Sequence, residues 1–211
     1  ASFVDQPPLH PADPGLVPGS ATWSCDTNAA LLTRGSTVAA DMPSLAGLVR
    51  TQTLPDSGRI LVSNPSLDSL LILNVLPDGS LETETEVTDG QIRGELDPDL
   101  ATAEAEERRT VVGMAGAAAA AESSDGRSIY VVGEQADSLV VLTRSDDGLS
   151  FEQRFRSGDN GVFGLLGPTD VVISPDQRFV FVAASRADAH AITVFERDPD
   201  SGMLTFVERV R

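Results

Sequence analysis

The chain has 211 residues, enough for one domain or two small ones. It carries 15 Arg, no Lys and 32 Asp+Glu, for a formal charge of −17. That balance excludes a basic face able to neutralise nucleic-acid phosphates and disfavours docking on an anionic membrane surface. With 41% hydrophobic residues the chain can bury a core, and no apolar run approaches the roughly 18–20 residues that span a bilayer.

The N-terminal stretch contains QPPLHPADPGLVPG (6–19), so residues 1–20, with His10, are expected as a Pro-rich extended arm. A start at Ala1 rather than Met points to a processed or partial chain. Loss of a signal peptide, whose cleavage follows small residues, produces such a start, so the expected location is periplasmic or secreted. The lone Cys25 has no internal partner for a disulfide.

From residue 47 onward the sequence repeats itself. GMAGAAAAAESSDGRSIYVV (113–132) lies without a gap over GLLGPTDVVISPDQRFVFVA (164–183), and LPDSGRILVS (54–63) matches around the same turn. Each copy is followed by a second matching run, beginning at Asp68, Asp137 and Ala187. The repeats are placed at about 47–81, 113–155 and 164–210, with an acidic insertion at 82–112. Within the last copy, period-two apolar residues and turn residues predict strands at about 170–174, 178–184, 190–197 and 204–210. Pro175-Asp176 and Asp200-Ser201-Gly202 supply the turns. Four antiparallel strands per unit of about 50 residues describe β-propeller blades. Propensity would make Ala117–Ala121 a helix, but the alignment puts them on the innermost strand of a blade. In the insertion, Asp97, Pro98 and Arg108-Arg109 mark a short acidic surface helix over 97–109.

SPDQRFVFVA (174–183), followed by AITVFERDPDSGMLTFV (191–207) and preceded by GLLGPTDVVISPD, resembles the repeat of lactonase-like, YVTN-type bacterial propellers. The resemblance implies an all-β propeller of six to eight blades, of which three are recognisable here. Their remainder is expected from a missing part of the protein or from another chain, with residues 21–46, including Trp23 and Cys25, pairing with it. Members of such families include sugar-lactone hydrolases, propeller subunits of quinone-dependent dehydrogenases and binding proteins. The reading favoured here is an exported binding or scaffold propeller, an accessory subunit of a larger assembly. The alternatives are a lactonase-type hydrolase and a propeller partnering a redox enzyme.

Features repeated in every blade are architectural. Asp68, Asp137 and Asp188 are assigned to equivalent loops, either as turn caps or as a ring of binding carboxylates at the channel mouth. Arg186, Asp188 and His190 occur once, and Arg186 and His190 are the weak candidates for acid–base or anion-binding work. Two histidines so placed argue against a His-based zinc site. The sequence contains no GxSxG, CxxCH, phosphate-binding or dinucleotide motif, so no metal or cofactor is expected.

Overall fold

The computed structural model describes residues 50–54, 58–91, 110–145, 148–186 and 190–211. The N-terminal arm with His10, the segment 21–46 with Trp23 and Cys25, the helix expected at 97–109, and Asp188 lie outside the described residues.

The described residues form twelve strands and no helix. Blade 1 is β1 (Arg50–Leu54), β2 (Arg59–Asn64), β3 (Ser69–Val75) and β4 (Leu81–Thr88). Blade 2 is β5 (Ala117–Glu122), β6 (Ser128–Gly133), β7 (Ser138–Ser145) and β8 (Gly148–Arg156). Blade 3 is β9 (Pro168–Ile173), β10 (Phe179–Ala184), β11 (Ala191–Arg197) and β12 (Leu204–Val210). Each blade is a four-stranded antiparallel meander in chain order. The ladder between third and fourth strands slips at one equivalent place in all three, after Ile72, Val141 and Val194. A bulge there sharpens the twist of the outer edge strand.

β1, β5 and β9 are the first strands of their sheets and lie against one another. That crowding explains the alanines of β5, all buried and extended. Tertiary context overrides their helix propensity, because only small side chains fit there.

β4 falls inside the stretch assigned to the insertion. Its sequence LETETEVT alternates Thr with Glu, and only Val87 is fully buried, since the strand forms an outer edge. Gly90 N–H donates to Val111 O at 2.7 Å and Val111 N–H to Gln91 O at 3.0 Å, so the chain leaves and rejoins the blade at one spot.

The core lies in the seams between blades. Leu61, Leu70 and Ile72 of blade 1 meet Ile129, Val131 and Val140 of blade 2. Tyr130, Leu139 and Val141 on the other face of blade 2 meet Val180, Val182 and Phe195 of blade 3. β6 is therefore buried at every position, whereas β10 alternates between buried and half-buried residues.

At one end of the blades, each of the two described seams is latched by arginine. Arg144, at the end of β7, donates from Nη2 to Glu122 Oε1 at 3.1 Å and from Nε to Gly126 O, and it pairs with Glu84 of blade 1. Arg59 Nη2 of blade 1 is 3.0 Å from the same Glu122 oxygen. In the next seam Arg197, buried, donates from Nε to Tyr130 Oη at 2.8 Å, and Tyr130 Oη donates to Gly202 O at 2.8 Å. Burial pushes the Glu122 carboxyl above its usual 4.5, against the pull of Arg59. Burial and the charge of Arg59 bring Arg144 down to about 10.

Turn carboxylates shift the other way. The Ser174 hydroxyl and the Arg178 N–H hold Asp176 below 3.8, and the Ser201 N–H and hydroxyl do the same for Asp198. At Asp125 burial acts upward but is outweighed by the Ser123 hydroxyl, the Arg127 N–H and the charge of Arg197. A depressed folded pKa contributes stability that is complete above the unfolded value and lost as pH falls through the folded one. Stability is therefore expected to fall as pH drops below 3.8. Glu122, shifted oppositely, contributes most below 4.5 and loses that share as pH rises through its folded value. Urea melts from pH 2 to 7 check this: the double variant Asp176→Asn, Asp198→Asn should flatten the acid limb, and an unchanged limb would contradict the assignment.

Candidate functional site

At the opposite end, the rim, the loops that link successive blades lie together with those that join the second and third strands. There Asp68 and Asp137 sit just before β3 and β7 with φ 51° and 54°. Asp68 Oδ1 accepts the Gly116 N–H at 2.6 Å, and Asp137 Oδ1 accepts the Gly167 N–H at 2.8 Å. Each carboxylate thus staples its blade to the first residues of the next. Among the described residues no group of three or more His, Cys, Asp or Glu is placed to hold a metal ion.

The third copy differs. The loops 65–68 and 134–137 have four residues, but 185–190 has six. Sheet register aligns Ala191 with Ser138, because Ala184 pairs with Ala191 as Gly133 pairs with Ser138. The residue at the aspartate position is therefore His190, which also has positive φ, 30°. His190 thus stands at that register position, and Asp188 lies outside the described residues.

Arg186 turns towards blade 2. Its Nη1 donates to both Asp137 oxygens at 2.7 and 2.9 Å, and Nη2 donates to Glu134 O at 3.2 Å. His190 instead lines a hollow with Ala184, Ile192, Val210 and Arg211 on the outward face of blade 3. The two weak catalytic candidates thus have different surroundings, and Arg186 is engaged in the seam.

A second cleft, of about 280 Å³, opens on the wall formed by the inner strands. Ala119 and Ala120 of β5 form its floor, and Arg50, Gln52, Ser63 and Asp170 stand around it. Arg50 on β1 crosses the alanines to β9. Its Nη1 donates to Thr169 O at 2.8 Å and lies 3.9 Å from Asp170 Oδ1. Both side chains remain more than half exposed, at 59% and 57%. These residues were not singled out from the sequence, although a signal was present: Asp170 occupies the place of Ala119 in the repeat, so it departs from the pattern where the channel wall is made.

Residues 81–210 match the family described as Lactonase, 7-bladed beta-propeller. The chain belongs to that family. No curated protein matches the sequence. Three solved structures are similar in fold. The first is a protein from Bacteroides uniformis provisionally described as a 6-phosphogluconolactonase (20% identity, TM-score 0.55, 85% of this chain and 46% of that one). The second is a functionally unknown protein from Desulfotomaculum acetoxidans (17%, 0.54, 79% and 44%). The third is the periplasmic gluconolactonase of Pseudomonas aeruginosa (24%, 0.52, 76% and 39%). The chain spans less than half the length of each.

Proposed function

We propose that the chain forms the substrate-binding arc of a lactonase-type hydrolase acting on a sugar lactone. The observation that carries this reading is the exposed Arg50–Asp170 pair across the alanine floor of the channel cleft. Ring opening needs an activated water and a polarised carbonyl. Asp170 accepts a proton from water as its oxygen bonds to the lactone carbonyl carbon. Arg50 donates to the carbonyl oxygen as negative charge grows there. The ring C–O bond then breaks, the leaving ring oxygen takes the proton held by Asp170, and the product is a hydroxy acid with the Asp170 carboxylate restored. A net charge of −17 favours an uncharged lactone over a phosphorylated one and repels the anionic product.

The test is hydrolysis of glucono-δ-lactone by the purified chain, corrected for spontaneous opening. Acceleration is expected, with a loss of about 10²-fold or more in kcat for Asp170→Asn, the scale of general-base catalysis. Equal rates for the two proteins would refute the assignment. The reading of a binding or scaffold propeller is favoured by one fact, that Asp137 and Arg186 at the rim are engaged with each other and with backbone. Lactone binding without turnover, weakened by Arg50→Ala, would decide for it.

A further inference from the structure

The inner strands line the channel cleft in two tiers. Counted back from Asn64, Gly133 and Ala184, the last residues of the second strands, Arg50, Ala119 and Asp170 stand at one level of β1, β5 and β9. Gln52, Ala121 and Val172 stand at the next. The first tier carries the charged pair. In the second, Gln52 is the one polar side chain of the three, on the same face of β1 as Arg50 and about 6.6 Å along the strand. At that level on β9, Val172 is 50% exposed, and both it and Gln52 line the cleft.

The neighbouring polar groups are already committed. Ser63 Oγ donates to Ala118 O at 3.2 Å, and Arg50 reaches Thr169 O and Asp170. The Gln52 side chain is half-buried, and among the described residues no hydrogen bond engages its amide. That amide offers two N–H donors and a carbonyl acceptor, so a hydroxyl, which both donates and accepts, matches it and a methylene does not. A volume of about 280 Å³ lies at the small end of ligand pockets, which run from roughly 300 to 1,000 Å³. One ring fits such a space better than an oligosaccharide.

We propose that Gln52 is the specificity-determining residue of this cleft, binding a ring hydroxyl and so selecting polyhydroxylated lactones over alkyl lactones. Val172 supplies the apolar surface for the C–H face of the same ring. The assignment rests on the hydrolase reading for the position of the carbonyl at Arg50. Gln52 takes no part in the proton transfers of Asp170. Its bond to the hydroxyl is the same in the ground state and in the transition state, so it contributes to KM rather than to kcat.

Two measurements on the full chain test this. In the first, kcat/KM for glucono-δ-lactone is divided by that for δ-valerolactone, which has the ring without the hydroxyls. A ratio of two substrates is independent of how much of a variant folds. Gln52→Met keeps the length of the side chain and removes its polar atoms; it should lower the ratio about tenfold, through KM. In the second, glucono-δ-lactam and δ-valerolactam, which resist ring opening, are titrated calorimetrically. The native chain should prefer the hydroxylated lactam about tenfold, and Gln52→Met should lose that preference. An unchanged substrate ratio, a loss confined to kcat, or no preference of the native chain between the lactams would each overturn the assignment. A lactam preference that Gln52→Met abolishes, without hydrolysis of either lactone, would refute the hydrolase and uphold Gln52 as the reader of the hydroxyl.

Discussion

Glu122→Ala is expected to destabilise the chain by about 3–5 kcal/mol, the cost of stripping buried charges of their partner. Glu122 is 1% exposed in its side chain and receives both Arg59 and Arg144 through one oxygen. Arg59 Nε is already buried without a partner, so the cluster has little capacity to absorb a further loss. Glu122→Gln should behave differently. Burial raises the Glu122 carboxyl, so folding penalises its charge relative to water, and the amide keeps an acceptor oxygen for both guanidinium groups. Its cost should stay within about 1 kcal/mol. Urea midpoints at constant m-value separate the two outcomes. If Gln proves as costly as Ala, the arginines need the charge itself and the upward shift is contradicted.

Phe195→Ala should cost a similar amount, about 3–5 kcal/mol, through loss of buried area and the cavity left behind. Phe195 is fully buried in the seam between blades 2 and 3. Its ring centroid lies 4.9 Å from Phe155 and 5.9 Å, edge-on, from Phe206. Aromatic pairs of this geometry add about 0.5–1.5 kcal/mol beyond area alone. Because the seam is the contact between neighbouring units of a repeat array, the variant should also loosen blade 3 before blade 2. Hydrogen exchange read separately on β10 and β6 measures this. Equal acceleration in both strands would mean that the three blades unfold as one unit.

The repeat was legible because its turns are punctuated by Pro, Asp and Gly, whose backbone preferences survive without tertiary context. Even the alanine strand was recoverable, through alignment with a neighbour rather than through propensity. β4 was not, because an outer edge buries little, only Val87 in the seam and Leu81 in part on the opposite face, and LETETEVT reads as a polar insertion. That His190 stands at the register position of Asp137 was not read from the sequence, for a different reason. A loop two residues longer conceals its equivalence with Asp137 until hydrogen-bond register and positive φ are known. Arg50 and Asp170 meet only because inner strands of non-consecutive blades converge over small side chains. No local pattern encodes such a meeting.

The alanines of β5 have one more consequence. Residues that bind the blades together stand on the seam faces and at the loop ends, whereas those that give the channel its chemistry are long side chains reaching over an inert strip from either side. On the proposed reading of the cleft, exchanges at positions 50 and 170 would alter which molecule the wall recognises while leaving the buried seam faces untouched. Specificity and structural integrity would then be separately heritable traits, and a single scaffold could change its ligand without first having to be restabilised.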